Sequence, residues 1–193
     1  MAYLEYWHVD DEGNIIERYV LNNETQEIPP NYFPTNPDKS YYRPKWDFEK
    51  GEWYESDLEG ALRVEKDALQ GVYLSHKEEI LHKGFEYNDY RISYDTNGQQ
   101  QFMMALMNLT LRPLTTTVTI MTKDNQYVTF TKEQFFEMYD LGEQLKLYVQ
   151  EKYDELYQRI EAIETLEEIL SMPRHLQDAI NLIENKDREA TNG

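Results

Sequence analysis

One stretch of the chain, residues 131–170, constrains the fold most, because its apolar residues recur at intervals of mostly three or four. That spacing places them on one face of a helix, and they are Phe135, Met138, Leu145, Val149, Tyr153, Leu156, Ile160 and Ile163. Thr131 and Gln134 stand at the spacing of a capping box, which predicts that the helix begins at Lys132. Unbroken to Glu164, the helix would be roughly 50 Å long. A domain of this size needs less, so we expect another polypeptide to cover the far end.

The charge of the chain limits what it can bind directly. Its 193 residues include 37 acidic and 19 basic side chains, so the net charge is −18 at pH 7. Such a field repels phosphate backbones and anionic lipid, and we therefore expect neither nucleic acid nor a membrane surface as a ligand. A basic partner and good solubility alone are the two interpretations of this charge. The length fits one domain of ordinary size or two small ones.

The absence of certain residues and segments excludes several classes of protein. The chain has no cysteine, which excludes a disulfide framework, a thiolate metal site and a cysteine nucleophile. Residues 1–9 are too short and too polar for the apolar part of a signal peptide, and no apolar run approaches the roughly 20 residues of a membrane helix. These features predict a protein that stays in the cytosol or becomes part of a particle.

The first 55 residues predict a module of two β-hairpins. Residues 3–9 and 15–21 are strand-like around a polar turn, and residues 22–40 contain four prolines, which predict an extended connection. The second hairpin pairs residues 41–46 with 52–55. Its aromatic residues include Trp46, Trp53 and Tyr54. We expect them to pack under the hairpin, and an exposed platform for a ligand is the alternative.

A connecting helix is predicted for residues 56–84. Ser56 and Glu59 repeat the capping-box spacing at its start, and Gly84 suits a left-handed cap at its end. Gly60 and Gly71 weaken the helix by about 1 kcal/mol each relative to alanine. The sparse apolar stripe is typical of a linker between two modules or of an oligomeric stalk.

Residues 85–170 predict an α+β domain in the order hairpin, helix, hairpin, helix. Residues 85–87 and 90–94 flank an Asn-Asp turn, and a helix over 99–111 has a core face of Phe102, Leu106 and Leu109 with Met103 and Met107 beside it. A second hairpin pairs residues 115–122 with 126–130, and the long amphipathic helix closes the domain. Small antiparallel hairpins should therefore carry helices on one face.

The last segment, residues 171–193, predicts a short helix and a polar tail. The helix covers residues 174–183, with Leu176, Ile180 and Ile183 apolar, and we expect the tail over 184–193 to be mobile.

The sequence contains no recognisable catalytic or metal-binding pattern. The four histidines are scattered, and His76 and His82 lie six residues apart on a helix, on different faces. The chain lacks the metalloprotease, nucleophile-elbow, phosphate-loop and EF-hand patterns. Adjacent carboxylates such as Asp10 and Asp11 are expected by chance in so acidic a chain. We predict no catalytic residue, metal ligand or cofactor, although a fold can still assemble a carboxylate pair from distant residues.

Three segments of the second half resemble a domain of unknown function that recurs in tail-fibre assembly proteins and other tail-associated proteins of tailed phages. They are GFEYNDYRISYD (84–95), VTIMTKDNQYVTFTKEQF (118–135) and RIEAIETLEEIL (159–170). The segment YYRPKWDFEKGEWYES (41–56) resembles a short proline-tryptophan hairpin that precedes a helix in many phage tail proteins. The resemblance implies no reaction, because the family has no established one.

The resemblance implies an accessory of a phage tail. The protein would be a cytosolic chaperone that holds a tail fibre or receptor-binding protein during assembly, or a component of the finished baseplate or fibre. Combined with the long apolar stripe, it predicts residues that bind this partner or a second copy of the chain: Leu145, Val149, Tyr153, Leu156, Ile160, Ile163, Leu176 and Ile180. The competing hypothesis is an enzyme or carbohydrate-binding module, with sugars stacked on Trp46, Trp53 and Tyr54.

Overall fold

The computed structural model describes residues 3–22, 27–39 and 41–191, and of Tyr3, residues 21–22 and residues 186–191 it describes the backbone alone. This part of the chain contains small antiparallel sheets and helices, which confirms the predicted α+β class. The chain divides into two units. The first comprises residues 1–67 and 164–170, and the second comprises residues 68–163 and 171–193.

The predicted N-terminal hairpin is confirmed. Strands β1 (Tyr3–Val9) and β2 (Ile15–Asn22) pair in antiparallel fashion. The Asp10 carboxylate holds the turn, because it accepts the backbone N–H of Glu12 and that of Asn14, both at 2.9 Å. Gly13 adopts a φ of +84°, and a Cβ there would lie 2.2 Å from the carbonyl oxygen of Trp46. The turn therefore needs glycine at this position.

The proline-containing connection holds one short strand that the sequence interpretation did not include. Strand β3 (Tyr32–Phe33) pairs with β1. The Phe33 ring stacks on Trp46 at a centroid distance of 4.1 Å, and this aromatic contact explains why two residues between prolines take up a strand position. Residues 23–26 and 40 of the predicted connection lie outside the described residues.

The second hairpin packs on the first through its tryptophans. Strands β4 (Pro44–Asp47) and β5 (Glu52–Glu55) pair as predicted. The backbone N–H of Trp46 donates to the Gly13 carbonyl of the first hairpin at 2.9 Å. The small core contains Val9, Trp46 and Trp53. A two-stranded ribbon is marginal alone in water, and this shared core supplies the missing burial.

Helix α1 (Leu58–Lys83) begins one residue later than the predicted cap implies. Asp57, not Ser56, caps it, because the Asp57 carboxylate accepts the Gly60 N–H at 2.8 Å. The Ser56 hydroxyl instead donates to the Arg43 carbonyl at 2.7 Å. The predicted left-handed cap at Gly84 is confirmed by its φ of +64°.

The second unit contains the predicted hairpin-helix-hairpin-helix order. Its elements are β6 (Phe85–Tyr87), β7 (Tyr90–Ile92), α2 (Thr96–Leu111), β8 (Thr117–Met121), β9 (Tyr127–Thr131) and α3 (Lys132–Ala162). The capping box of Thr131 and Gln134 is present, and α3 begins at Lys132 as predicted. Buried apolar residues join these elements into one core: Ile92, Tyr94, Phe102, Ala105, Leu109, Val118, Ile120, Phe130, Phe135 and Met138.

The C-terminal helices differ from their prediction. The backbone of Ile163 is extended, with φ −65° and ψ 131°, so α3 ends at Ala162 and the helical pattern of residues 131–170 is interrupted there. A separate short helix, α4 (Leu166–Ser171), follows, and Thr165 caps it by accepting the Glu168 N–H at 3.2 Å. Helix α5 (Leu176–Thr191) runs well beyond residue 183, so the predicted end of this helix is wrong and most of the polar tail is helical. Residues 192–193 of that tail lie outside the described residues.

Side-chain contacts join α3 to the second part of α1 and to α5. The Gln70 amide donates to Glu161 at 2.6 Å, and Lys77 donates to Gln150 at 2.5 Å, so α1 and α3 run antiparallel. On the other side, the Tyr148 hydroxyl donates to Glu184 of α5 at 3.2 Å.

Candidate partner-binding site

The predicted partner-binding stripe of α3 is buried within the chain. Val149 is 1% exposed, and Leu156 and Ile160 are 0% exposed. The remaining members on α5 and at the end of α3 are also buried, and they are Ile163, Leu176 and Ile180. A partner cannot contact these side chains while they are covered, so the stripe is core and the sequence interpretation of it is corrected.

The two other members of the predicted stripe are half-buried. Leu145 packs against the core of the sheet region. The Lys77 ammonium lies 5.1 Å from the centroid of the Tyr153 ring, in cation–π contact across α1 and α3. The apolar stripe is longer than the sheet it covers, and α1 and α5 contact its far part.

The predicted aromatic contact residues are mostly core residues as well. Trp46 and Trp53 are each 8% exposed, and their rings meet edge to face at 5.2 Å. The indole N–H of Trp53 donates to the Thr35 carbonyl at 2.7 Å. Of the three predicted residues, Tyr54 alone is exposed. The expectation that these rings pack under the hairpin is therefore confirmed for both tryptophans, and neither presents an open face to a sugar.

Five exposed apolar side chains of the second unit lie close together in sequence, on α2 and just after it. We call this the methionine face, and it consists of Met103, Met104, Met107, Leu111 and Leu114. Leu111 is 75% exposed and Leu114 is 94% exposed. The four helical members are spaced by one, three or four residues and share one side of α2, while Phe102, Ala105 and Leu109 on the other side are buried. The predicted core position of Phe102 and Leu109 is thus confirmed.

The same segment lacks negative charge. Residues 96–123 contain no aspartate or glutamate, and their only charged side chains are Arg112 and Lys123. At the average of 37 acidic residues in 193, a segment of this length would carry about five. Hydrophobic periodicity alone did not find the segment, because its exposed side is also apolar. The missing carboxylates are the sequence signal that identifies it.

A groove of about 600 Å³ runs between α2 and β8, next to the methionine face. One wall is formed by Met104 and Asn108 of α2 with Arg112 just after the helix, and the other is formed by β8. Residues of both elements and of β9 complete the lining: Gln101, Ala105, Leu109, Thr115, Thr117, Val118, Thr119, Met121 and Tyr127. Arg112 is the one charged residue in this lining. The groove therefore suits an uncharged ligand.

Charged groups near the start of α2 hold the helix in place. The Asp95 carboxylate caps α2 by accepting the Gly98 N–H at 2.9 Å, and its other oxygen lies 2.7 Å from Nδ1 of His82. Burial of the Asp95 carboxyl raises its pKa. The hydrogen bonds from Gly98 and His82 lower the pKa by more than burial raises it, so the pKa lies below its ordinary value. The carboxylate is ionised at neutral pH, and its negative charge is favourable at the N-terminus of a helix.

The Tyr94 hydroxyl connects this region to α3. It donates to the Glu143 carboxylate at 2.6 Å, and burial of the ring together with that hydrogen bond raises the pKa of Tyr94. Gly142 allows the approach, because a Cβ at this position would lie 2.2 Å from the Tyr94 ring. These contacts hold Tyr94, which precedes α2 in the chain, against α3.

Residues 3–22, 27–39 and 41–191 contain neither a cluster of candidate metal ligands nor a helix suited to span a bilayer. Within these ranges, no group of three or more histidine, cysteine, aspartate or glutamate side chains is arranged to hold a metal ion. No helix in the same ranges combines the length and the apolar character that crossing a bilayer requires.

Comparison with known families finds two matches along the chain. Residues 4–59 match the model of the YomQ N-terminal domain, a phage domain. Residues 64–180 match the model of a domain of unknown function, DUF4376. Neither the curated proteins nor the solved structures contain a significant match to the chain.

The two matches and the two α+β units define a bacteriophage-associated protein. The second match covers more than half of the 193 residues, and the chain belongs to the DUF4376 family. The methionine face and the groove both lie within the residues that this family model matches.

Proposed function

We propose that the protein is an accessory of the phage tail that acts as an assembly chaperone for a tail fibre or receptor-binding protein. It binds this partner non-covalently in the host cytoplasm and catalyses no reaction. The sequence resemblance to tail-fibre assembly proteins supports the identity of the partner. The phage domain at residues 4–59 is consistent with it.

The exposure of the methionine face is the observation that carries the proposal. Met104 is 66% exposed and Met107 is 56% exposed, and the two leucines beside them are more exposed still. Contiguous apolar surface of this kind marks protein contacts in soluble proteins. Interface cores are depleted in charged residues and enriched in methionine, and the segment over 96–123 has both properties.

The negative charge of the rest of the chain supports the role of a chaperone that binds its partner transiently. All 37 acidic residues lie outside this segment, and the like charge of the whole protein, −18, keeps its copies apart. An apolar face framed by acidic surface can therefore bind a partner without promoting self-association. A component of the finished baseplate or fibre is the alternative role, and it uses the same face.

Co-expression with the tail-fibre protein encoded by the same phage tests the proposal. A Met104→Lys/Leu111→Lys variant places two charges on the methionine face, and Leu147→Lys places one at a comparably exposed leucine of α3. We expect a complex by light scattering for the wild type and for Leu147→Lys, weakened about tenfold or more by the double substitution. No complex with the wild-type protein, or equal binding by both variants, would refute the proposal.

The location of the protein separates the two roles. Mass spectrometry of finished particles and of phage-producing lysate, both purified, shows where it resides. A chaperone is found with its partner in the lysate and is missing from the particle, whereas a structural component is present in both.

A further inference from the structure

We propose that the groove between α2 and β8 binds one extended segment of the partner, which adds to the free edge of β8 as a third strand. This inference rests on the proposed function, because it specifies how the partner polypeptide is held. The groove, the edge of β8 and the chemistry of their residues carry it.

One edge of β8 faces away from β9. The Thr122 N–H, just past the end of β8, donates to the Gln126 carbonyl at 2.8 Å, in the register that pairs Thr119 with Thr129. Backbone groups alternate in direction along an antiparallel strand, so even-numbered residues of β8 bond to β9. The N–H and C=O groups of Thr117 and Thr119 consequently point to the opposite edge. Both threonines line the groove.

Residues of the same chain already occupy one end of this edge of β8. The Lys123 N–H donates to the Arg91 carbonyl of β7 at 2.9 Å, and the Met121 N–H donates to the Gln101 side chain at 3.3 Å. Within the part of the chain that the structure describes, no hydrogen bond reaches the backbone of the two threonines from this side. A peptide backbone is the ligand that offers donors and acceptors at the matching interval.

The walls of the groove favour a single strand over a second copy of this chain. The edge of β8 lines the groove together with Met104 and Asn108 of α2 and with Arg112 at the C-cap of that helix, a row spaced at every fourth residue. Paired strands lie about 4.8 Å apart. Two copies related by a two-fold axis would each bring an α2 wall beside the pairing edges, whereas a single extended segment brings no helix.

The residues of the groove define the chemistry of the bound segment. Its walls offer apolar contact at Met104, Ala105 and Leu109 and hydroxyl groups at Thr117 and Thr119. A charged side chain would lose its hydration there without gaining an ion pair, except beside Arg112. The segment should therefore be extended and largely uncharged, with apolar residues at alternate positions and at most one acidic group, near Arg112.

Peptides tiling the tail-fibre protein of the same phage, each about 12 residues long, provide the probe. Binding is measured by fluorescence anisotropy with the full-length protein. Thr119→Pro removes the edge N–H and should weaken the tightest peptide about tenfold or more. Thr129→Pro is the matched control, because Thr129 lies directly opposite on β9, its N–H faces the other edge, and its hydroxyl shares the 3.0 Å contact with Thr119.

A second measurement reads the backbone directly. Methylation of the peptide nitrogens, one at a time, should abolish binding at alternate positions only, and hydrogen exchange should show new protection of the Thr117 and Thr119 amides. If the intact fibre protein binds and the methionine-face substitutions weaken it, while Thr119→Pro and Thr129→Pro bind alike and no new protection develops, strand addition is overturned and the proposed function stands. If the fibre protein does not bind at all, both fail.

Discussion

The apolar stripe of α3 and the methionine face of α2 are both rich in large apolar residues, yet one is covered and the other is open. Leu156 and Ile160 on α3 are fully buried, whereas Met104 and Leu111 on α2 are more than half exposed. Charged residues separate the two cases. In α3 they alternate with the apolar stripe and mark its solvent side, while α2 carries none. An amphipathic pattern therefore identifies the side that its own chain covers, and a segment lacking charge on every side identifies a helix that keeps apolar residues exposed.

The largest expected effect comes from truncating the covered stripe. Leu156→Ala should reduce the free energy of unfolding by about 2–5 kcal/mol, because it removes buried methyl groups and leaves a cavity. Leu147→Ala on the exposed side of α3 should change it by no more than about 0.5 kcal/mol. Urea unfolding measures both. Equal effects would mean that the stripe is not core.

Substitutions of two helical glycines, Gly142 on α3 and Gly71 on α1, test how closely the Tyr94 ring packs against α3. Gly142→Ala should cost about 1–3 kcal/mol of stability, because its Cβ overlaps the buried Tyr94 ring. A Cβ at Gly71 of α1 meets nothing within 4 Å, so Gly71→Ala should instead stabilise by about 0.5–1 kcal/mol. Thermal unfolding followed by circular dichroism gives both signs. A stabilising Gly142→Ala would contradict the packing of Tyr94 against α3.

The N-terminal caps of α2 and α3 should respond differently to pH. Asp95→Ala and Thr131→Ala each remove a helix cap and should cost about 1 kcal/mol at neutral pH. The folded-state pKa of Asp95 is depressed, so its contribution is present above the unfolded-state pKa and is lost as pH falls through the lower folded value.

The cost of Asp95→Ala should therefore shrink between about pH 5 and pH 2. The hydroxyl of Thr131 does not titrate, so the cost of Thr131→Ala should stay nearly constant over the same range. Denaturant titrations across this interval measure both, and parallel curves would show that the Asp95 cap does not depend on its charge.

The smallest expected effect on stability comes from the open face. Leu111→Lys and Leu114→Lys together should change the free energy of unfolding by no more than about 0.5 kcal/mol, because both side chains are exposed. Retention on a hydrophobic column should nevertheless fall. A loss of several kcal/mol in urea would mean that this face is covered in solution.

Local signals in the sequence predicted much of the secondary structure. The capping box at Thr131, the Asn-Asp turn before Tyr90 and the glycine cap at Gly84 each act within a few residues, and the structure contains all three. The cap of α1 was misplaced by one residue. Ser56 and Asp57 are both good caps, and the hydrogen bond from Ser56 to the Arg43 carbonyl decides between them.

Burial could not be predicted in the same way, because it depends on elements distant in sequence. Covering α3 requires α1 and α5, whose contacts join residues such as Lys77 with Gln150 and Tyr148 with Glu184. No local pattern specifies such pairs. The two-residue strand β3 also follows from a distant contact, the stacking of Phe33 on Trp46. The sequence interpretation missed the methionine face because a methionine next to core positions has the same apolar pattern whether it is exposed or buried.

Three of the exposed residues on α2 are methionines, and that choice affects which surfaces they can fit. An unbranched thioether side chain changes rotamer at little cost and follows the contour of whatever touches it. A recognition surface made of such groups tolerates substitutions in the molecule it holds. Under the proposed function, a receptor-binding protein could therefore change residues as its phage adapts to new hosts and still be accepted by the same helper.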